Sequence, residues 1–175
     1  ILIPVVRKRI RNECRRRITN IYLHRSDLEW LGSDGQSSNW NPPCHAGVIA
    51  VALYLEDDVM IQAKVLAKAL ASLPSYLKEF DSDGCTAKGV GYWNGGFGSY
   101  TILSHLIECR TNGQVQMLSG EHIQKICNFP VQMEMSPGHF VNFSDAEETT
   151  SIDPGICWWL AERCSIPELK FIGRR

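Results

Sequence analysis

Apolar side chains recur at helical spacing along most of this sequence, and neither a strand-rich block nor a βαβ alternation interrupts them. Val6, Ile10, Cys14, Ile18 and Tyr22 repeat every fourth residue through the first segment, which predicts an amphipathic helix. "AGVIAVALYL" (residues 46–55) is continuously apolar, and the "EDD" after it is a helix start signal. Ile61, Val65, Leu66, Ala69 and Leu70 give a helix over 59–73 one broad buried face, and Pro74 is expected to stop it before a short helix through Phe80. "SYTILSHLIECRTNG" predicts a helix ended by Asn112 and Gly113, and "SGEHIQKICNF" one that ends before Pro130. Residues 131–154 are polar with extended signals, and a last helix is expected over about 155–164.

Two stretches break this rhythm. Residues 32–43 are rich in Ser, Gly, Asp and Asn, and residues 81–98, "DSDGCTAKGVGYWNGGFG", are glycine-rich without a clear period, so both are expected to be loops. The fold class is therefore mainly α, built as antiparallel helix pairs with alternating short and long connections. At 175 residues and 44% hydrophobic content, the chain suits one globular domain over residues 1–175.

A formal net charge of -1 argues against a surface built throughout for nucleic acid. The positive charge is concentrated at the start, where "RKRIRNECRRR" groups Arg7, Lys8, Arg9, Arg11, Arg15, Arg16 and Arg17. Such a face is a solvated surface, the anion-facing wall of a cleft, or a nucleic-acid or membrane-surface helix. No run of about eighteen apolar residues is present to span a bilayer, so a membrane is not an expected partner, and the near-zero net charge makes nucleic acid an unexpected one as well. Ile1 opens inside helical pattern, which suggests a piece of a longer polypeptide.

The seven cysteines form no CxxC pair and no metal-like spacing, so no zinc site is expected from them. Cys14, Cys109, Cys127 and Cys157 fall on apolar helical faces, where a reduced thiol acts as a small hydrophobe.

Both unusual stretches carry an asparagine beside a tryptophan, "NWN" at 39–41 and "YWN" at 92–94, and both end at a helix. In an array of helical hairpins, loops an even number of helices apart emerge at the same end. Paired carboxylates placed for glycoside hydrolysis are poorly represented, and a nucleophile elbow, a P-loop and an HExxH are absent. What remains is amides, a phenol, an imidazole and indoles, a set that suits a sugar bearing an anionic group. Indole faces stack on pyranose rings, and an amide both donates and accepts. Trp40, Asn41, His45, Trp93 and Asn94 are the candidate substrate-binding residues, with a structural role open for His45 and a core role for either indole. Pro42 and Pro43 would fix the first loop, and Gly47 would allow close helix packing.

"SSNWNPPCHAGVIAVALYLEDD", then "DSDGCTAKGVGYWNGGFGSYTILSHLIE" and "GHFVNFSDA", resemble the helical toroid domain of the heparinase II/III-like polysaccharide lyases. That family carries an N-W-N-x-x-C-x-A-G segment and an E-G-x-x-Y-W-x-Y-G segment about two helices apart, and the resemblance runs over about residues 25–165. It implies part of an (α/α) toroid that acts by β-elimination on an acidic, uronate-containing polysaccharide, heparin-like or alginate-like. It further implies catalytic roles for Asn39, as the group neutralising the uronate carboxylate, and Tyr92, as general acid and in some members base. No cofactor is implied, and no metal ligand is assigned to these residues. Lys88 and a glycine stand where the family has an acidic residue and a second tyrosine. The family's β-sandwich, source of a further catalytic histidine, has no counterpart here, and His139 is a weak substitute. The sandwich would be a missing partner domain of the parent chain. Periplasmic or secreted localisation is implied by the resemblance alone. A non-catalytic acidic-saccharide-binding module or degenerate lyase fragment is the alternative reading, and a helical interaction protein using the basic first helix is a third.

Overall fold

The computed structural model describes residues 3–32 and 38–174. It is mainly helical and falls into two compact units, Ile1–Tyr76 and Leu77–Arg175. Residues 33–37 of the expected first loop lie outside the described residues. Among the described residues no helix is long and apolar enough to cross a membrane.

The first unit opens with α1 (Pro4–Cys14), which runs through a π-helical turn (Arg15–Thr19) into α2 (Asn20–His24). Pro4 starts the helix because its missing N–H would have no partner there. The expected amphipathic helix forms, but its first half is not a buried face: no residue of α1 is buried, and Val6 and Ile10 are more than a third exposed. Burial begins at Thr19 and Tyr22. After a 3-10 turn (Glu29–Leu31) come α3 (Asn41–Leu55) and α4 (Val59–Leu77). Asp58 begins α4 by accepting from the Met60 N–H at 2.8 Å, and the Gln62 amide donates to the Glu56 carbonyl at the same corner. At the other end Ser72 of α4 meets Asn41 and His45 of α3, so the two helices run antiparallel.

Pro74 does not stop α4, which continues to Leu77. A proline inside a helix removes one hydrogen bond and crowds the preceding turn. Here Leu73 and Tyr76 on either side of it are at most 2% exposed, and their burial holds the last turn in helical form. Gly47 is not a packing glycine: it is exposed, and a Cβ there would meet nothing within 4 Å.

The second unit contains α5 (Val90–Arg110), α6 (Glu121–Met133), a minimal antiparallel hairpin of β1 (Glu134–Ser136) and β2 (His139–Phe140), α7 (Pro154–Arg163) and the short α8 (Leu169–Ile172). The expected loop at 81–98 is a loop only as far as Gly89; its second half is the first turns of α5. Val90, Trp93, Phe97, Tyr100, Leu103 and Ile107 follow at intervals of three and four residues, and each is at most 3% exposed. This buried stripe keeps a glycine-rich sequence helical despite its poor propensity. Gly98 sits where α7 crosses, since a Cβ there would lie 2.6 Å from the Ile156 δ-methyl. The α5 helix ends at Asn112 (φ 49°) and Gly113 (φ 77°), the left-handed exit that the sequence signals.

Pro130 also lies inside its helix, because it is buried with Ile126, Cys127 and Phe129 on the packed face of α6. Trp93 donates from Nε1 to the Ile126 carbonyl at 2.8 Å and Tyr100 donates to the Met117 carbonyl at 3.2 Å, so α5 and α6 form a second antiparallel pair.

All seven cysteines are unbridged. Cys127, Cys157 and Cys164 are buried as small apolar residues, whereas Cys109 is exposed and Cys14 only partly covered.

Candidate functional site

The residues singled out from sequence separate into those with surface to offer and those consumed by the core. In the first unit, Pro42 and Pro43 form the opening turn of α3, with Trp40 just before it. The Asn41 N–H donates to the Ser38 carbonyl at 2.9 Å and the Trp40 N–H to the Ser38 hydroxyl at 3.3 Å, which fixes this entry turn. Trp40 projects its indole outward at 70% exposure, and Asn39 is half-buried beside it.

Asn41 and His45 point the other way. They sit one helical turn apart on the inward face of α3, and both are 0% exposed. Ser72 joins them: its oxygen accepts from Asn41 Nδ2 at 2.9 Å, lies 2.8 Å from His45 Nε2, and its hydroxyl donates to the Leu31 carbonyl at 2.7 Å. Because that single O–H is committed to Leu31, the proton between Ser72 and His45 belongs to Nε2. His45 Nδ1 then accepts from the Tyr22 hydroxyl at 3.0 Å. The serine is thus a buried linker with its proton spent, not a nucleophile beside a base. Trp30 closes the cluster, its ring 5.0 Å from the His45 ring and stacked with Tyr22. Burial, with the nearby Lys68 ammonium second, pushes the His45 imidazole down to about 4, so it stays neutral. Asn41 Oδ1 is buried without a hydrogen-bond partner among the described residues. As placed here, neither Asn41 nor His45 presents surface to a sugar.

A cavity of about 590 Å³ opens at the opposite end of α3, lined among others by Arg7, Lys8, Arg11, Arg15, Glu56 and Asp57. Here the basic helix is partly neutralised: Arg15 makes a two-pronged pair with Glu56, and Arg11 pairs with Asp57 at 2.6 Å.

In the second unit, Tyr92 lies in the first turn of α5 with its ring 37% exposed, and its hydroxyl donates to Asp145 Oδ2 at 3.3 Å. Its neighbour Trp93 is 0% exposed and packs on Phe97, so this indole is core and not a sugar platform. Asn94 ties two elements together: its Oδ1 accepts from the Asp153 N–H at 3.0 Å and its Nδ2 donates to the Ser151 carbonyl at 3.4 Å. Asp153 in turn caps α7 by accepting from the Gly155 and Ile156 N–H groups.

The segment 141–153 therefore lies against the start of α5, within reach of Tyr92 and Asn94. Gly89 permits this approach: its φ is +85°, and a Cβ there would come 2.5 Å from the Ala146 methyl. Lys88 pairs with Glu79 at 3.2 Å, and His139 pairs through Nδ1 with Glu148 at 3.0 Å.

Sequence reasoning missed Asp145, Ser72 and Asp153. Only Asp153 carried a local signal, an acidic residue directly before the proline that opens a helix. Ser72 and Asp145 act through partners far along the chain. Neither the known protein-family models nor the curated proteins give a match to this chain.

Proposed function

We propose that this chain is a polysaccharide-lyase-like helical domain, part of an (α/α) toroid, that acts by β-elimination on an acidic, uronate-containing polysaccharide of heparin-like or alginate-like type. The observation that carries the reading is the Tyr92 hydroxyl. It sits at a helix start on a partly exposed ring, and its O–H, which donates to Asp145 Oδ2 at 3.3 Å, would have to turn from that carboxylate to the departing oxygen. β-Elimination takes the proton from C5 of the uronate, forms the C4–C5 double bond and breaks the bond from C4 to its glycosidic oxygen. The departing alkoxide needs a proton, and a phenol is a stronger acid than the sugar alcohol being released, so it can donate. Asn39 is assigned to hydrogen-bond the uronate carboxylate as charge spreads into it, a role an uncharged amide fills without its own desolvation penalty of charge. Trp40, with its indole outward, is assigned to stack on a sugar ring. The C5 proton passes to a general base, a role that the family this chain resembles gives in some members to the tyrosine that Tyr92 matches.

Burial of Asn41, His45 and Trp93 removes these three from the candidates and leaves Asn39 and Trp40 in the first unit and Tyr92 and Asn94 in the second. It also favours a second reading, a non-catalytic module for acidic saccharides, because the Tyr92 hydroxyl already has an acceptor in Asp145. Incubation with heparin, heparan sulfate, alginate and other uronate polymers, followed by ultraviolet absorbance of the unsaturated uronate, decides between the two. Absorbance growing with time supports the lyase; retention on a heparin column without product supports the module.

A further inference from the structure

Two buried thiols meet in the second unit. Cys127, on the packed face of α6, and Cys164, at the C-terminal cap of α7, place their sulfur atoms 3.4 Å apart, and the two residues are 0% and 5% exposed. Neither is needed for the proposed elimination. We propose that Cys127 and Cys164 form a reversible disulfide cross-link when the protein meets a peroxide, and that this bond fastens α6 to α7.

With the sulfurs at 3.4 Å, closure to a bond of about 2.05 Å needs a movement of little more than an ångström. A small oxidant suits the site, because Cys164 has only a sliver of surface. Cys164 is also the partner that gives up its proton more readily: the hydrogen bond shared by the two sulfurs lowers its value against the opposing effect of burial, with the Arg163 guanidinium adding to the lowering, while the same hydrogen bond, and burial after it, push Cys127 up. The Cys164 thiolate attacks one peroxide oxygen, the O–O bond breaks, and a sulfenic acid and hydroxide result. Cys127 then attacks the Cys164 sulfur, the S–O bond breaks, and a second hydroxide leaves. With the two thiol protons this gives a disulfide and two waters from two thiols and one hydrogen peroxide.

The bond would enclose the stretch between the two cysteines, including the hairpin and the 141–153 segment that carries Asp145 to Tyr92 and Asp153 to Asn94. Restricting that stretch in the unfolded chain stabilises the second unit.

The test treats the full chain with hydrogen peroxide at a small molar excess. Expected are an intact mass lower by about 2 Da, from loss of two hydrogens, and a non-reducing peptide map linking Cys127 to Cys164. A melting temperature higher by roughly 5 °C or more, restored by dithiothreitol, is also expected. Cys127→Ala, treated the same way, should leave a sulfenic acid on Cys164 that dimedone captures. A map in which the two cysteines stay unlinked while other thiols oxidise overturns the proposal, as does a link that pairs either of them with a different cysteine. The wild-type map decides the matter even if the variant does not fold.

Discussion

His45 Nε2 lies 2.8 Å from the Ser72 oxygen, and the hydroxyl of that serine points on to the Leu31 carbonyl. The pair fastens α3, α4 and the turn before them through one buried, uncharged junction. It also sets a pH dependence. Unfolded, His45 titrates near about 6.5; folded, burial holds it to about 4. Between these values the unfolded chain binds a proton that the native chain does not, so stability falls as the pH is lowered through this window. Above about 6.5 the contribution is fully present, and its whole size is roughly 3 kcal/mol. Urea denaturation at pH 7 and pH 5 should show wild type losing roughly 2 kcal/mol from this group at the lower pH. His45→Gln should lose that part of the slope, and an unchanged slope in the variant would sink the assignment.

The two motif tryptophans should separate cleanly on truncation. Trp93→Ala removes a fully buried ring and its bond to Ile126, and is expected to cost about 3–5 kcal/mol. Trp40→Ala removes an outward ring and should change stability by less than about 0.5 kcal/mol, while weakening retention on an acidic-saccharide column. Thermal melts of the two variants check the first contrast. Equal destabilisation by both would contradict the placement of these side chains.

Gly89→Ala tests how the 141–153 segment reaches the start of α5. An alanine there must adopt φ near +85° and meet the Ala146 methyl, at a cost of about 1–3 kcal/mol. The Tyr92–Asp145 contact should loosen with it. Faster amide hydrogen exchange across 141–153 is the expected result, and exchange identical to wild type would show that the glycine is not required.

The helical class and most helix starts were readable because burial in this chain follows the three-to-four spacing of its apolar residues. The ends at Pro74 and Pro130 were misread for one reason. Proline's local penalty is fixed by its ring, but the compensating burial of Leu73, Tyr76 and Phe129 comes from tertiary packing. The start of α5 was legible in retrospect: Val90, Trp93, Phe97 and Tyr100 carry the helical period through glycines that hide it. The candidate site was less legible. Asn41 and His45 are separated by four residues, the spacing of one helix face, and this signals shared burial as readily as a shared ligand. Asp145, which holds the Tyr92 hydroxyl, is brought there across 53 residues of chain by a fold that no local pattern encodes.

The side chain of Asn39 carries a separable expectation within the proposed elimination. Asn39→Ala removes the amide assigned to the uronate carboxylate and should reduce kcat/KM by an amount equivalent to roughly 3 kcal/mol, as for the loss of an oxyanion donor. Kinetics on whichever uronate polymer yields product would reveal it, and a variant with undiminished kcat/KM removes Asn39 from the mechanism.

The most direct measurement compares Tyr92→Phe with wild type for formation of unsaturated uronate on that same polymer. The substitution deletes one hydroxyl and leaves the ring in place. The account predicts product from wild type and a kcat lower by about two to four orders of magnitude in the variant, with substrate retention little changed. Full elimination activity in Tyr92→Phe, or retention of uronate polymers with no unsaturated product from wild type, would contradict it.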